Sequence, residues 1–485
     1  MSSASASIVF VLLILGLFWL DRDQSSRTSG TLWIPVVWWL LACSRSVGQW
    51  LQMGPSMENL TPDQILEGSP IDRLLYSGLL VLGLAVLVKR RRQVMRLLQE
   101  NGPIILFFLY CAISILWSDY PEVAFKRWTK ALGDLVMVLV VLSDREPSAA
   151  FERLLAWASF LLIPLSVLII KYYPVIGRGY DRWDGRAFYT GVTLNKNTLG
   201  SICLLFGLAS VWRLLIAYQD RKGTARTRRL LAHGVILVMV LWLFWMANSM
   251  TSLSCFLIGI VLLLVGNLRA VVQKPAAVHF IVAAILSVTI SVLFLKASPE
   301  VLETMGKDPT LTDRTAVWAL LISVSGNDLI GAGYESFWVG PRLQKIWSVY
   351  SWQPLEAHNG YLEVFLSLGW AGVALLAVVM VTGYRRVFAA FQHNPAVGSL
   401  MLAYFSVGMV YNFTEAAFFR MMTPVWMFLL LAITGAMVLA SRNTQLSVGG
   451  GPVHENTRFP WSGGGLQHSH ERPPGAAVKL VGNRD

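Results

Sequence analysis

A few polar side chains in this sequence stand where an apolar run begins, and their types define a chemistry. In EAHNGYLEVFLSLGW (356–370), Asn359-Gly360 marks a turn and the apolar run from Tyr361 reads as a helix. His358 therefore stands at a helix N-terminus, where the dipole lowers a histidine pKa and leaves the imidazole ready to accept a proton at neutral pH. That is the requirement for a general base acting on a hydroxyl. The nearest ionisable neighbour in sequence, Glu356, would orient the ring and oppose the dipole. A lone histidine is more often a structural hydrogen-bonding group, so the company it keeps decides the reading.

That company is cationic. In LTDRTAVWALLIS (311–323), Thr312 and Asp313 read as a helix start, which puts Arg314 in a first turn where backbone N–H groups and a guanidinium can grip one anion. A surface arginine paired with Asp313 explains the spacing equally well. In GVTLNKNTLG (191–200), Asn195 fits an N-cap with Lys196 and Asn197 behind it, against the alternative of a lysine snorkelling at a membrane interface. The loop before it, GRGYDRWDGRAFYTG (177–191), mixes Arg178, Arg182 and Arg186 with aromatics, which suits a glycan or phosphate but also an interfacial anchor. Together these positions suit a ligand with an apolar tail and a phosphate.

The elements that must hold them are membrane helices. Of 485 residues 55% are hydrophobic and 14% charged, against about 25% charged in a soluble domain, which excludes a soluble enzyme. The reading is all-α: a polytopic transmembrane bundle over residues 1–440 with about 12–14 spans of about 20 residues each. The apolar runs lie near 3–20, 31–50, 71–88, 101–118, 128–142, 151–171, 196–217, 231–247, 251–268, 278–296, 361–383, 397–413 and 421–440. The first has no basic flank and is expected to be a retained helix.

Orientation follows from charge. The excess of 40 basic over 28 acidic residues gathers in KRRR at 89–92, between Arg221 and Arg229, at Arg269 and Lys274, and at Arg385 and Arg386, all on one side. The positive-inside rule makes that side cytoplasmic, which accounts for the charge without nucleic acid. The opposite side receives the loops 51–70 and 172–195 and the long polar segment 297–360. The stripe Val317, Leu320, Leu321, Val324 in that segment predicts a short amphipathic helix, and Gly331 and Gly333 are turns that shape it. Cys43, Cys111, Cys203 and Cys255 fall within or at the ends of apolar runs, with no metal spacing. From Ser441 the Gly-, Pro- and His-rich chain reads as a disordered cytoplasmic tail, where His468 and His470 are taken as solvated.

The order LNKNTLG (194–200), LTDRTAVW (311–318), a GxG followed by an aromatic (331–337) and AHNGYLE (357–363) resembles the O-antigen ligase and polysaccharide polymerase family. The resemblance implies an inverting, metal-independent glycosyltransferase without cofactor in the bacterial inner membrane. Such an enzyme moves a glycan from an undecaprenyl-diphosphate carrier on the periplasmic face to a sugar hydroxyl, on lipid A core in ligases and on another carrier-linked glycan in polymerases. It implies diphosphate contacts from Arg314 and, less directly, Arg186, and a base at His358. The competing class is a transporter or flippase for a lipid-linked glycan. That class calls for ionisable residues at mid-membrane depth and broken helices in paired positions, whereas here the mid-span ionisable residues are few, Asp134 being the clearest, and the polar groups crowd one face.

Overall fold

The computed structural model describes residues 2–22, 28–51, 69–180, 185–220, 223–294, 311–350 and 352–441, the side chains of 290, 292–294 and 311–315 excepted. The tail beyond 441 lies outside the described residues. Within them the chain is helical almost throughout. Seven helices are long and apolar enough to cross a membrane: Ser3–Leu20, Pro70–Lys89, Pro147–Tyr172, Lys196–Gln219, Thr224–Ala247, Gly360–His393 and Pro424–Ser441. Arg91–Glu100 and Gly102–Trp117, bent by 89°, form an eighth if taken as one span. The shorter apolar helices Gly30–Ala42, Met250–Gly266, Ala277–Thr289 and Pro395–Tyr411, and the Pro121–Leu142 helix with its charged first half, occupy the remaining apolar runs. This is a polytopic helical membrane protein, and helices suit the bilayer because they satisfy their backbone groups internally.

The second span is shorter than its apolar run suggested. Its helix stops at Ala42, and Arg45 donates to the Ile176 carbonyl at 2.6 Å and to Thr190 Oγ1 at 3.2 Å, already among the loops. The pair of runs at 231–268 is divided by Asn248, whose left-handed backbone (φ 47°) ends one helix before Met250 starts the next.

Hydrogen bonds gather the helix ends into two sets. At the basic end Arg90 pairs with Asp144 at 3.1 Å, Arg213 with Asp21 at 3.2 Å and with Glu152, and Arg386 donates to Asn101 Oδ1 at 2.6 Å. The opposite end carries the loops. The Pro424–Ser441 and Lys196–Gln219 helices are buried in the centre, whereas Ser3–Leu20 and Pro70–Lys89 turn much of their apolar surface outward, as expected of helices facing lipid.

At the loop end the Leu311–Ser323 helix forms as its periodicity predicts, and Val317 and Leu321 enter a separate small core with Phe337, Trp338, Leu343 and Ile346. The segment 328–332 then docks into the Gly360–His393 helix, which breaks at Gly369 (φ 64°). Trp370 N–H donates to the Asp328 carbonyl (2.8 Å), Ala371 N–H to Leu329 (3.1 Å), and Ala332 N–H to Leu366 (3.1 Å). A side chain at Gly369 would put its Cβ 2.3 Å from the Leu329 backbone, so only glycine allows this approach.

Candidate active site

The site is assembled from the ends of three helices and the loop 412–423. Asn359 caps the Gly360–His393 helix, its Oδ1 accepting from the Tyr361 and Leu362 N–H groups at 3.0 and 3.1 Å. Gly360 N–H donates to the carbonyls of Asn412 (2.8 Å) and Glu415 (3.1 Å). A Cβ at Gly360 would lie 1.9 Å from Asn412 Oδ1. Asn412 in turn accepts from Ala417 and Phe418 N–H at 2.8 and 2.9 Å. The turn before the helix and the loop 412–423 are therefore one hydrogen-bonded piece.

His358 is held in it with a left-handed backbone (φ 49°), a conformation that a non-glycine residue adopts only under surrounding constraint. Its Nδ1 lies 3.2 Å from Glu415 Oε2 and 3.1 Å from Glu356 Oε1. Two carboxylate oxygens are acceptors, so Nδ1 carries a hydrogen and donates toward them. Glu356 also pairs with Arg420. Burial works against the Arg420 charge, but the carboxylates of Glu356, Glu335 and Glu363 outweigh it and hold the guanidinium pKa above its ordinary value. Glu363 accepts from Trp338 Nε1 at 2.9 Å and from the Ala357 N–H, fixing the residue before the histidine.

The residues singled out in the sequence divide. His358, Glu356 and Asn359 come together as expected. Asn195 caps the Lys196–Gln219 helix through Thr198 N–H at 2.7 Å, and Asn197 reaches the site, its Nδ2 donating to Glu415 Oε1 at 3.1 Å. Lys196 is exposed beside it. Arg186 is exposed just before the second strand of a hairpin, Arg178–Tyr180 with Ala187–Tyr189, a feature absent from the sequence reading. Arg178 donates to the Ile170 carbonyl and stacks on Tyr189 at 5.6 Å, an anchoring role. Arg314 falls in the first turn of the Leu311–Ser323 helix, and its side chain lies outside the described residues.

Glu415 and Arg420 were missed. Their signal was a carboxylate and an arginine in a short stretch between two apolar runs, NFTEAAFFR (412–420), on the side otherwise poor in basic residues. Asp134 has a structural explanation: Oδ1 accepts from Trp38 Nε1 at 2.8 Å and Oδ2 from Met422 N–H at 3.0 Å, pinning the loop 412–423 to the bundle.

Ligand atoms of Glu356, His358 and Glu415 lie within 4.8 Å of one another, a donor set that a divalent cation accepts. Arg420 competes for the Glu356 carboxylate. Chemically, the arrangement offers an oriented imidazole backed by carboxylates, beside exposed cations at the loop end.

Residues 235–377 match the O-antigen ligase family profile, a stretch that includes Arg314, Glu356 and His358. Over 292 residues the chain is 26% identical to the exopolysaccharide production protein ExoQ of Rhizobium meliloti (strain 1021), covering 57% of this chain and 63% of that one. It is also 20% identical over 345 residues to a Rickettsia prowazekii (strain Madrid E) protein named as a polysaccharide ligase, covering 68% and 79% of the two chains. A similarly named protein of Rickettsia typhi (strain ATCC VR-144 / Wilmington) matches at the same identity and coverage.

Proposed function

We propose that this multi-pass membrane protein, whose residues 235–377 match the O-antigen ligase profile, is a member of that family and an inverting, metal-independent glycosyltransferase acting on lipid-linked glycans. The donor is a glycan on an undecaprenyl-diphosphate carrier, and the acceptor is a sugar hydroxyl on another glycan or on lipid A core. The reaction runs at the periplasmic face of the inner membrane, the side opposite the basic helix ends.

The observation that carries this reading is the pairing of His358 Nδ1 with Glu415 and Glu356. With Nδ1 holding a hydrogen, Nε2 takes the proton of the acceptor hydroxyl as its oxygen bonds to the anomeric carbon. The imidazolium so formed faces two carboxylates, which favour it. The anomeric C–O bond breaks on the opposite side and its electron pair leaves with the diphosphate, so a single displacement inverts the centre. Arg314, Arg186 and Lys196 are assigned to the growing negative charge, where fixed cations in a water-poor interface act strongly. Asn195 and Asn359 hold the two helix starts, and Asn197 holds Glu415.

A transporter is the less supported reading, because the mid-bundle carboxylate Asp134 has both oxygens engaged in bracing the loop. The test is to give purified protein an undecaprenyl-diphosphate glycan and analyse the product. Chain extension identifies a polymerase, transfer to lipid A core a ligase, and intact donor overturns the proposal.

A further inference from the structure

The motif LTDRTAVW (311–318) ends in a tryptophan that takes no part in the displacement proposed above. Trp318 stands one turn beyond Arg314 on the Leu311–Ser323 helix, about 6 Å further along its axis. Its Nε1–H donates to the Ala357 carbonyl at 2.8 Å. Ala357 immediately precedes His358 and is 2% exposed. A carbonyl so buried needs a partner, and loss of the indole N–H would leave it unsatisfied.

The other polar backbone group of Ala357 is held as well. Its N–H donates to Glu363 Oε1 at 2.5 Å, and Glu363 accepts from Trp338 Nε1 at 3.1 Å through that oxygen and at 2.9 Å through Oε2. Trp338, Val317 and Leu321 share the small outer core with Ala357. Ala357 is thus gripped from two directions, by a side chain of the helix that follows His358 and by one of the Leu311–Ser323 helix.

The grip matters because the left-handed backbone of His358 (φ 49°) persists only where its neighbours are fixed. On the C-terminal side, Asn359 caps the helix and Gly360 N–H is tied to the loop 412–423. On the N-terminal side, Glu363 and Trp318 hold Ala357. Among the described residues, the Trp318 bond is the one hydrogen bond between the Leu311–Ser323 helix and the turn 356–360. Trp347 offers a comparison within the same core. Its Nε1 donates to the Pro354 carbonyl at 2.9 Å, a bond of the same kind that does not touch the residue before His358.

We propose that Trp318 is a positioning residue for glycan transfer: its indole N–H, clamping the Ala357 carbonyl, sets the spacing between the helix that bears Arg314 and the His358 ring. The helix assigned to the donor diphosphate and the base are then parts of one hydrogen-bonded unit, so that the anomeric carbon meets the acceptor hydroxyl at a fixed distance. A misplacement of about 1 Å in such a spacing costs roughly 10²-fold in rate. The inference rests on the glycosyltransferase reading above and adds to it a residue that acts through the base.

The test is steady-state transfer from an undecaprenyl-diphosphate glycan by the full chain in lipid nanodiscs, expressed per molecule of folded protein. Trp318→Phe keeps a ring in the core and removes the N–H. Its kcat is expected to fall about tenfold or more, with KM for the donor within about twofold of wild type. Trp347→Phe, which removes the comparable bond from the same core, is expected to keep a kcat close to wild type. Glu363→Gln weakens the grip on the Ala357 N–H at nearly unchanged shape. It should lower kcat several-fold at unchanged KM, and it carries the test if Trp318→Phe does not reach the membrane. Wild-type kcat in Trp318→Phe, or in Glu363→Gln where that variant stands in, would overturn the proposal. So would a rise in KM alone, or an equal fall in Trp347→Phe, which would make the loss general to the core. Those results leave the glycosyltransferase reading intact, whereas a donor left intact by wild type overturns both.

Discussion

Glu415 Oε2 and His358 Nδ1, 57 residues apart in sequence, stand 3.2 Å apart at the loop end of the bundle. The contact fixes both the tilt of the imidazole and the nitrogen that bears its hydrogen. His358→Ala should lower glycan transfer by roughly 10²–10⁴-fold, the usual worth of a positioned general base. Glu415→Gln, which keeps the shape but lets the ring choose its tautomer, should lower kcat by about tenfold or more with KM nearly unchanged. Steady-state kinetics on purified protein separates the two, and wild-type rates in His358→Ala would remove the base assignment.

Arg420 is the counter-ion of Glu356 beside the histidine. Its removal strands a half-buried carboxylate, so Arg420→Ala should cost about 1.5–3 kcal/mol of stability. Thermal unfolding in detergent measures this, and the Arg420→Ala, Glu356→Gln double variant should recover a large part of the loss. If the double variant is no more stable than the single one, the pair is not the cause.

Gly360 is a steric requirement. With Asn412 Oδ1 only 1.9 Å from any added Cβ, Gly360→Ala must push the loop 412–423 away from the helix start. A destabilisation of about 1–3 kcal/mol is expected, typical of overpacking, with transfer falling as Glu415 is displaced from His358. Gly360→Ala with wild-type stability and rate would mean that the loop yields at little cost.

Because Arg420 already occupies the Glu356 carboxylate, chelation should leave the proposed glycan transfer unchanged. Transfer measured with excess EDTA is expected to match the untreated rate, and readdition of magnesium or manganese should not raise it. A rate lost with EDTA and restored by one ion would assign the Glu356, His358, Glu415 set to that metal.

The cations assigned to the donor diphosphate should act through planar, two-pronged contacts where they are arginines. Arg314→Lys is therefore expected to be impaired despite its retained charge. Arg186→Ala and Lys196→Ala should raise KM for the carrier-linked donor, with smaller effects because both side chains are exposed. Unchanged kinetics in all three would shift the diphosphate elsewhere.

The helices were readable because twenty apolar residues in a row have few alternatives to a membrane helix: each expected run holds a helix, though seven of them, or eight with the bent pair, are long and apolar enough to cross a membrane against the 12–14 spans expected. Where the reading fell short, a polar detail intervened: Arg45 ends the second helix early, and the break at Gly369 shows only as one glycine in an apolar run. His358 and Glu356 were legible because they are neighbours in sequence. Their partners Glu415 and Arg420 were not, since spacing along one chain segment carries no information about which other segment folds beside it.

The break at Gly369 makes the His358 helix a spliced rod. The segment 328–332 bonds to both sides of the break, Ala332 N–H donating to the Leu366 carbonyl before it and the Asp328 and Leu329 carbonyls accepting from Trp370 and Ala371 N–H after it. The outer segment is thereby a splint across the break, tied both to the part of the helix that starts beside His358 and to the part that runs on through the bundle. A load on the outer segment is therefore shared by both halves of the helix rather than taken up as a bend at Gly369.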